Sequence, residues 1–401
     1  MHNEKGLNAI QPFLNIKVKN KRVINVKKQL LIPVTILFFL IVFSLISCIV
    51  PAPKIAFPTP ADNTKIFTNA VTLYWDHFNY FESFDIWLGD SDENLEKIDT
   101  VQDNHYTVNG LEWGKKFFWK VVGFKTEKNS LESPLWSFTT GNPRKGLLIG
   151  ITDYDSASDL SLTDDDAINM QTALEATLFG YDTTLLQDRV LKADIESVIT
   201  NTQGLNEESV YTFFYAGHGG YANNESYLYL SNGYRLYMSE LRTLLQQLPG
   251  KKWVIIDACN SGNFTELNPV RDSQLSARQL NEKFNMGVIS AFSQTGRNGE
   301  AEFYVMTGSN ISQSSWENST LQNGVFSFFL LDGIGDVGVD NPEDNFDFTF
   351  DADANNDGKV TLFEAHTYAA PKVEQFVHDL NGYHQSVQVF PQESGFVISQ
   401  W

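Results

Sequence analysis

Two short motifs contain the residue types of nucleophilic catalysis. The sequence YAGHGG includes His218, and the sequence DACNSG includes Cys259. A thiol attacks an acyl carbon well only as a thiolate, and a nearby histidine is the base that most often accepts its proton. The glycines beside both residues let a substrate carbonyl approach the backbone, so the amides of Gly219 and Cys259 are candidates for an oxyanion hole. The pattern predicts acyl transfer by a Cys–His dyad.

The number of cysteines supports a functional thiol. The chain has 401 residues and two cysteines, Cys48 and Cys259. Cys48 follows a basic segment and the uncharged apolar run Gln29 to Ser47, which together have the parts of an export signal. If Cys48 has another role, Cys259 is an unpaired thiol in an oxidising compartment. The alternatives are that His218 is a structural residue and that Cys259 is a buried structural cysteine. The occurrence of both motifs in one chain favours catalysis.

Both motifs end apolar runs in a region where strand and helix patterns alternate. The runs GLLIGITDY, VYTFFYAGHGG and KKWVIIDACNSG predict strands, and the segments DDAINMQTALEATL and MSELRTLLQQL predict helices between them. Alternation of strands and crossover helices implies a mainly parallel sheet, whose carboxyl edge gathers catalytic residues. We therefore expect His218 and Cys259 on short loops at one edge of the sheet.

Residues 142–401 resemble the caspase-like cysteine peptidases of bacteria, close to the metacaspases and orthocaspases. In these families a strand ending in (Y/F)-x-G-H-G supplies the general base, and a later strand ending in D-x-C-x-S-G supplies the nucleophile; His218 and Cys259 match them. The resemblance implies the caspase–haemoglobinase-like α/β fold, cysteine endopeptidase activity on protein or peptide substrates, and no organic cofactor. The segment TGSNISQSSWE resembles the strand and loop that complete the cleft, which makes Ser309 a candidate for the substrate groove.

The resemblance also implies a specificity. Metacaspases bind a basic P1 side chain with two carboxylates, one placed two residues before the nucleophile and one that opens the first helix. Asp257 matches the first and Asp166 matches the second, so we expect cleavage after Arg or Lys. The alternative for Asp166 is that the acidic run at positions 164–166 only favours the positive end of a helix dipole, and both roles are compatible.

The segment from Thr265 to Glu300 joins the two halves of this region. It is polar and contains Arg271, Arg278, Lys283 and Arg297. In the family such linkers are often cut by the enzyme itself during maturation. A simple exposed loop is an equal alternative.

A calcium loop is predicted near the carboxyl terminus. The sequence DANNDGKVTLFE, residues 353–364, fits the twelve-residue EF-hand loop at every position. In this pattern the side chains of Asp353, Asn355, Asp357 and Glu364 bind Ca²⁺ together with the carbonyl oxygen of Lys359. A solvated acidic loop is the alternative. We expect one structural Ca²⁺, and whether activity requires it is left open.

The amino terminus has the pattern of a lipoprotein signal. Residues 1–47 combine a basic head with an apolar run, and the sequence LISC resembles the lipobox of bacterial lipoproteins. The resemblance implies cleavage before Cys48, acylation of Cys48, residues 48–54 as a lipidated linker, and a place in the bacterial cell envelope on a membrane that is not determined. The alternative is a transmembrane anchor, since the run approaches the ~20 residues that span a bilayer.

Residues 55–141 show about seven short strands with period-two alternation, which predicts a β-sandwich. The order of elements resembles bacterial fibronectin type III domains. No catalytic cluster occurs here, so we expect a spacer or adhesive role, with residues 141–143 as a linker. This domain also supports an alternative from another class, a catalytically silent caspase-like surface binding or adhesion lipoprotein, against which the intact dyad argues.

The charge of the chain excludes one class of partner. The formal net charge is −20, and beyond residue 47 there are 22 Lys and Arg against 48 Asp and Glu, a balance of −26. A surface of this sign repels phosphate backbones, so nucleic acid is not an expected partner. A basic partner or substrate is compatible with it.

Overall fold

The structure is a computed structural model that describes residues 52–77, 80–126, 129–260, 277–293, 301–308, 317–335, 351–382 and 384–400. The predicted signal segment 1–47, the lipidation site Cys48 and the groove residue Ser309 lie outside these ranges. Within them, no helix has the length and apolar character that crossing a membrane requires.

The first part of the described chain is a β-sandwich of two sheets, as predicted. Trp75, Phe84 and Trp119 are fully buried between the sheets, and they come from strands that alternate buried and exposed residues. One sheet has the order β1-β3-β6, and the other has the order β2-β9-β7-β4-β5 with β8 beside β7. The strands are β1 (Ile55–Thr59), β2 (Thr64–Ile66), β3 (Val71–His77), β4 (Ser83–Gly89), β5 (Leu95–Val101), β6 (His105–Val108), β7 (Lys116–Thr126), β8 (Asn129–Glu132) and β9 (Trp136–Thr140).

The predicted linker does not separate the sandwich from the rest of the chain. Gly141 and Pro143 are buried, and the Gly141 N–H donates to the carbonyl of Ile66 at 2.5 Å. The Phe67 ring packs edge-on against Phe179, with ring centroids 4.7 Å apart. Residues 141–143 therefore connect two packed domains, because apolar side chains join the sandwich to the domain that follows.

The second part is built on a mainly parallel sheet, which confirms the predicted α/β fold. Strands run in the order β11-β10-β12-β15-β16-β20, and only β20 is antiparallel to its neighbour; β13 and β14 extend from β12 as an antiparallel pair. The strands are β10 (Arg144–Gly150), β11 (Asp182–Gln187), β12 (Val210–Ala222), β13 (Glu225–Tyr229), β14 (Arg235–Tyr237), β15 (Lys251–Asn260), β16 (Phe303–Thr307), β17 (Glu317–Asn318), β18 (Asn323–Gly324), β19 (Lys359–Thr361), β20 (Gln388–Phe390) and β21 (Val397–Gln400).

Both faces of this sheet are covered, which explains its continuous apolar strands. Phe214 of β12 and Ile255 of β15 enter one core cluster, whereas their neighbours Phe213 and Val254 enter the other. Strands buried on both faces lose the alternation of a half-exposed sheet. The helices that cover the sheet are α1 (Thr163–Ala176), α2 (Lys192–Asn201), α3 (Met238–Leu245), α4 (Ala277–Phe292), α5 (Val325–Ile334) and α6 (Leu362–Asn381).

Helix α4 changes the interpretation of the polar segment 265–300. The segment was expected to be an exposed or self-cleaved loop, but its middle is a helix with Phe284 and Val288 fully buried. Lys283 lies on this helix and is therefore a poor cleavage site, since a peptidase needs extended backbone. Arg271 and Arg297 lie outside the described residues.

Helix α6 begins at a capping box and runs without a break through Pro371. The Thr361 hydroxyl accepts from the Glu364 N–H, and the Glu364 carboxylate accepts from the Thr361 N–H at 2.9 Å. The helix ends at Gly382, whose φ of 74° is left-handed. Glu364 is thus both the last residue of the predicted calcium loop and part of the cap.

Candidate active site

His218 and Cys259 lie opposite each other on neighbouring parallel strands. The backbone register of β12 and β15 pairs His218 with Cys259 and Gly219 with Asn260. Both strands therefore extend through their motifs, and the expectation that the two residues stand on loops is wrong. Because the two strands stay paired to this point, His218 and Cys259 lie together at the carboxyl edge of the sheet. Hydrogen bonds between the strands hold their backbones in register.

A backbone carbonyl orients the imidazole of His218. The ring Nε2 lies 2.7 Å from the carbonyl oxygen of Ser158. A carbonyl oxygen only accepts hydrogen bonds, so Nε2 carries the proton of the neutral ring and Nδ1 is the unprotonated nitrogen. Sequence patterns do not single out Ser158, because any residue type offers the same carbonyl.

Tyr154 contacts His218 in two ways. Its hydroxyl accepts the His218 backbone N–H at 2.9 Å, and its ring lies against the imidazole with centroids 4.6 Å apart. The Tyr154 N–H in turn donates to the carboxylate of Asp159 at 3.0 Å. The loop after β10 thus surrounds the imidazole on more than one side.

Burial keeps the imidazole neutral. His218 is 5% exposed, and desolvation lowers the pKa of its side chain, opposed by the hydrogen bond to Ser158 and the charge of Asp159. A neutral imidazole at neutral pH can accept a proton, which is the state that a general base needs.

The glycines around His218 permit close packing. A Cβ at Gly217 would lie 2.6 Å from the Tyr154 hydroxyl, and a Cβ at Gly219 would lie 2.7 Å from the Phe284 ring. Any side chain at these positions would displace the residues that fix β12. Glycine at position 219 therefore allows the buried Phe284 ring of α4 to pack directly against β12.

The structure brings Asp166 and Asp257 together at the start of α5. The Gly324 N–H donates to Asp166 Oδ1 at 2.8 Å, and the Ser327 hydroxyl donates to Asp257 Oδ2 at 2.7 Å. The two carboxylates belong to residues that are 1% and 3% exposed. A Cβ on Gly324 would lie 2.9 Å from Asp166 Oδ2 and 2.7 Å from Asp257 Oδ2, so both oxygens face one point.

The carboxylates of the predicted calcium loop are engaged within the loop. Asp353 accepts from the N–H groups of Asp357 and Gly358, and Gly358 has a left-handed φ of 77°. Glu364 accepts from the Asn355 side chain at 3.0 Å. In the part of the chain that is described, no three His, Cys, Asp or Glu side chains are grouped closely enough to hold a metal ion. Lys359, whose carbonyl oxygen is a predicted calcium ligand, begins β19.

Comparisons with known proteins agree with this architecture. The profile of the caspase domain family matches residues 143–366. No curated protein is similar enough in sequence to be recognised as a relative.

Among solved structures, caspase-1 from Spodoptera frugiperda is 12% identical, with a TM-score of 0.40 over 65% of this chain and 90% of that one. A protein from Geobacter sulfurreducens is 17% identical, with a TM-score of 0.38 over 62% of this chain and 92% of that one. A fibronectin type III-like protein from Clostridium thermocellum is 20% identical, with a TM-score of 0.18 over 22% of this chain and 94% of that one. The family profile covers more than half of the sequence, and on this ground the chain belongs to the caspase domain family.

Proposed function

We propose that the chain is a cysteine endopeptidase that hydrolyses peptide bonds after Arg or Lys through Cys259 and His218. The observation that carries the proposal is the pairing of these two residues across β12 and β15 in a caspase domain. The Ser158 carbonyl supports it further, because it holds His218 in the tautomer of a base.

The reaction follows from these groups. His218 Nδ1 accepts the Cys259 thiol proton, and the thiolate forms a bond to the scissile carbonyl carbon. The amides of Gly219 and Cys259 stabilise the oxyanion. The protonated imidazole then gives its proton to the leaving amine as the carbon–nitrogen bond breaks. Water adds to the thioester with His218 as base, which releases the acid product and the free thiol.

The two buried carboxylates support a basic P1 side chain. Burying two negative charges near one point is unfavourable unless hydrogen bonds and a cation offset it. Oδ2 of Asp166 and Oδ2 of Asp257 both lie beside Gly324, so one guanidinium or ammonium group bound next to them can neutralise both carboxylates. Arg matches two carboxylates better than Lys, since its planar donors bind two acceptors at once.

Purified protein tests the proposal with four fluorogenic peptides that differ only at P1: Arg, Lys, Asp and citrulline. We expect hydrolysis after Arg and Lys by the wild type and none by Cys259→Ala. Hydrolysis of the Asp peptide alone would contradict the basic specificity. Equal rates for wild type and Cys259→Ala, or no hydrolysis of any peptide or denatured protein by either, would favour the silent binding protein.

We propose two further properties that the motifs predict. Cys48 carries the lipid of a bacterial lipoprotein and holds the protein on a membrane of the cell envelope. The loop 353–364 binds one Ca²⁺, with the loop turn at Gly358 already in the conformation that such loops require. Asp353, Asn355, Asp357 and Glu364 would hold the ion with the Lys359 carbonyl, and the ion would stabilise the start of α6.

A further inference from the structure

We propose that the amino-terminal turn of α5 forms part of the P1 pocket, with Ser327 as the residue that positions Asp257 and Gly324 as the residue that keeps the space between the two carboxylates open. This inference rests on the proposed cleavage after basic residues. It assigns specificity to a helix that contributes neither the base nor the nucleophile.

Ser327 holds Asp257 by two donors. Its hydroxyl lies 2.7 Å and its backbone N–H lies 3.2 Å from Asp257 Oδ2. Ser327 is fully buried, so removing its hydroxyl takes away a buried donor to the Asp257 carboxylate. The first turn of a helix also has free N–H groups and the positive end of the helix dipole, both of which favour a carboxylate. These contacts fix one carboxylate oxygen of Asp257.

Gly324, one residue before the helix begins, holds Asp166 through its backbone N–H. Its N–H donates to Asp166 Oδ1 at 2.8 Å. The start of α5 therefore positions both carboxylates, although Asp166 comes from α1 and Asp257 from β15. Because neither carboxylate has to be moved to face the other, little reorganisation is needed when a cation binds.

The absence of a side chain at Gly324 is needed for space and not for backbone conformation. Its φ of −61° and ψ of 140° are ordinary for any residue. A Cβ there would nevertheless lie 2.7 Å from Asp257 Oδ2 and 2.9 Å from Asp166 Oδ2, closer than such atoms approach. An alanine would put a methyl group at the point that both oxygens face. The cationic end of a P1 side chain is expected beside Gly324, within reach of both Oδ2 atoms, and the added methyl group would displace these oxygens.

The experiment compares kcat/KM for the Arg and citrulline peptides, which differ in the charge of the P1 side chain. We expect Ser327→Ala to lower the Arg-to-citrulline ratio by about 10- to 100-fold, the range of a lost hydrogen bond to a charged group. Gly324→Ala should lower the ratio as well, mainly by raising KM for the Arg peptide. The rate of Cys259 alkylation by iodoacetamide and the melting temperature are measured for each variant.

Ser399→Ala is the matched control. Ser399 is also fully buried, and its hydroxyl donates to the Ile334 carbonyl at 2.7 Å, at the opposite end of the same helix. It should lose stability like Ser327→Ala but keep the wild-type P1 ratio. A loss of ratio in Ser399→Ala equal to that in Ser327→Ala would overturn the proposal.

The remaining outcomes separate this inference from the proposed function. If the wild type prefers the Arg peptide and both α5 variants keep that preference, the inference is wrong and the proposed function stands. If Ser327→Ala slows all peptides and alkylation equally, its role is general support of the site, which also overturns the inference. If the wild type cleaves no basic peptide, the proposed specificity fails first.

Discussion

His218 Nε2 lies 2.7 Å from the carbonyl oxygen of Ser158, sixty positions earlier in the chain. The contact joins the carboxyl end of β12 to the loop that follows β10. It determines which ring nitrogen carries the proton, and hence which nitrogen is available to accept one.

The buried imidazole predicts that stability depends on pH. Desolvation lowers the pKa of His218 in the folded protein, so below the ordinary value near 6.5 the unfolded chain binds a proton that the folded chain does not. We therefore expect the free energy of unfolding to fall as the pH decreases from 7.5 to 5.5, by at most about 1.4 kcal/mol per pH unit for this group.

Urea unfolding of wild type and His218→Gln at both pH values measures this contribution. The variant should lose less stability on acidification than the wild type. Part of the decrease in the free energy of unfolding should persist in His218→Gln, because burial also lowers the pKa of His366. The exposed His105→Gln is the control and should behave like wild type. An identical pH dependence in His218→Gln would refute the prediction.

Tyr154→Phe tests the support of His218. The change removes the hydroxyl that accepts the buried His218 N–H at 2.9 Å. An unsatisfied buried donor typically costs about 1–3 kcal/mol, which should appear in the free energy of unfolding. Peptide hydrolysis should also slow, because this hydrogen bond no longer fixes the His218 backbone that positions the imidazole. Tyr74→Phe removes a hydroxyl from an exposed residue of the sandwich and should change neither quantity.

Calcium should raise the melting temperature of the protein. A ligand at one hundred times its dissociation constant stabilises the folded state by about 2.7 kcal/mol. We expect Glu364→Gln to reduce the increase that Ca²⁺ produces over EGTA, and the exposed Glu393→Gln to leave it unchanged. The same melting temperature for wild type in Ca²⁺ and EGTA would exclude a folded calcium site.

Lipidation of Cys48 predicts that the protein partitions into a detergent phase and that removal of Cys48 changes this partition. The wild-type protein expressed in a bacterium should enter the detergent phase of Triton X-114, and Cys48→Ser should lose the mass of the lipid and enter the aqueous phase if the signal is still cleaved. Cys259→Ser, which changes the other cysteine, should partition like wild type. An uncleaved amino terminus without the mass of a lipid on the wild-type protein would favour the transmembrane anchor.

The contact between Phe67 and Phe179 predicts that the two domains stabilise each other. Phe67→Ala removes one ring of this pair and should lower the free energy of unfolding by about 1–3 kcal/mol. We also expect two unfolding transitions in calorimetry where the wild type shows one. Phe57→Ala, at a position 66% exposed, is the control and should leave the transition unchanged.

The fold class could be predicted from the sequence, because local patterns carry that information. Period-two alternation in residues 55–140 and continuous apolar runs in β10, β12 and β15 reflect sheets buried on one face and on two faces. The motifs also singled out His218 and Cys259, and their catalytic role stays a prediction. Asp166 and Asp257 came from a family resemblance and could not have come from spacing alone.

Tertiary structure alone decided the contacts that join distant parts of the chain. Ser158 acts through a backbone carbonyl, which every residue type possesses, and Ser327 meets Asp257 across seventy positions. The helix α4 within a polar segment is another case, since its burial depends on the sheet it covers. Sequence patterns record local periodicity and side-chain chemistry, whereas these contacts exist only because the packed sheet brings separate strands and helices to one edge.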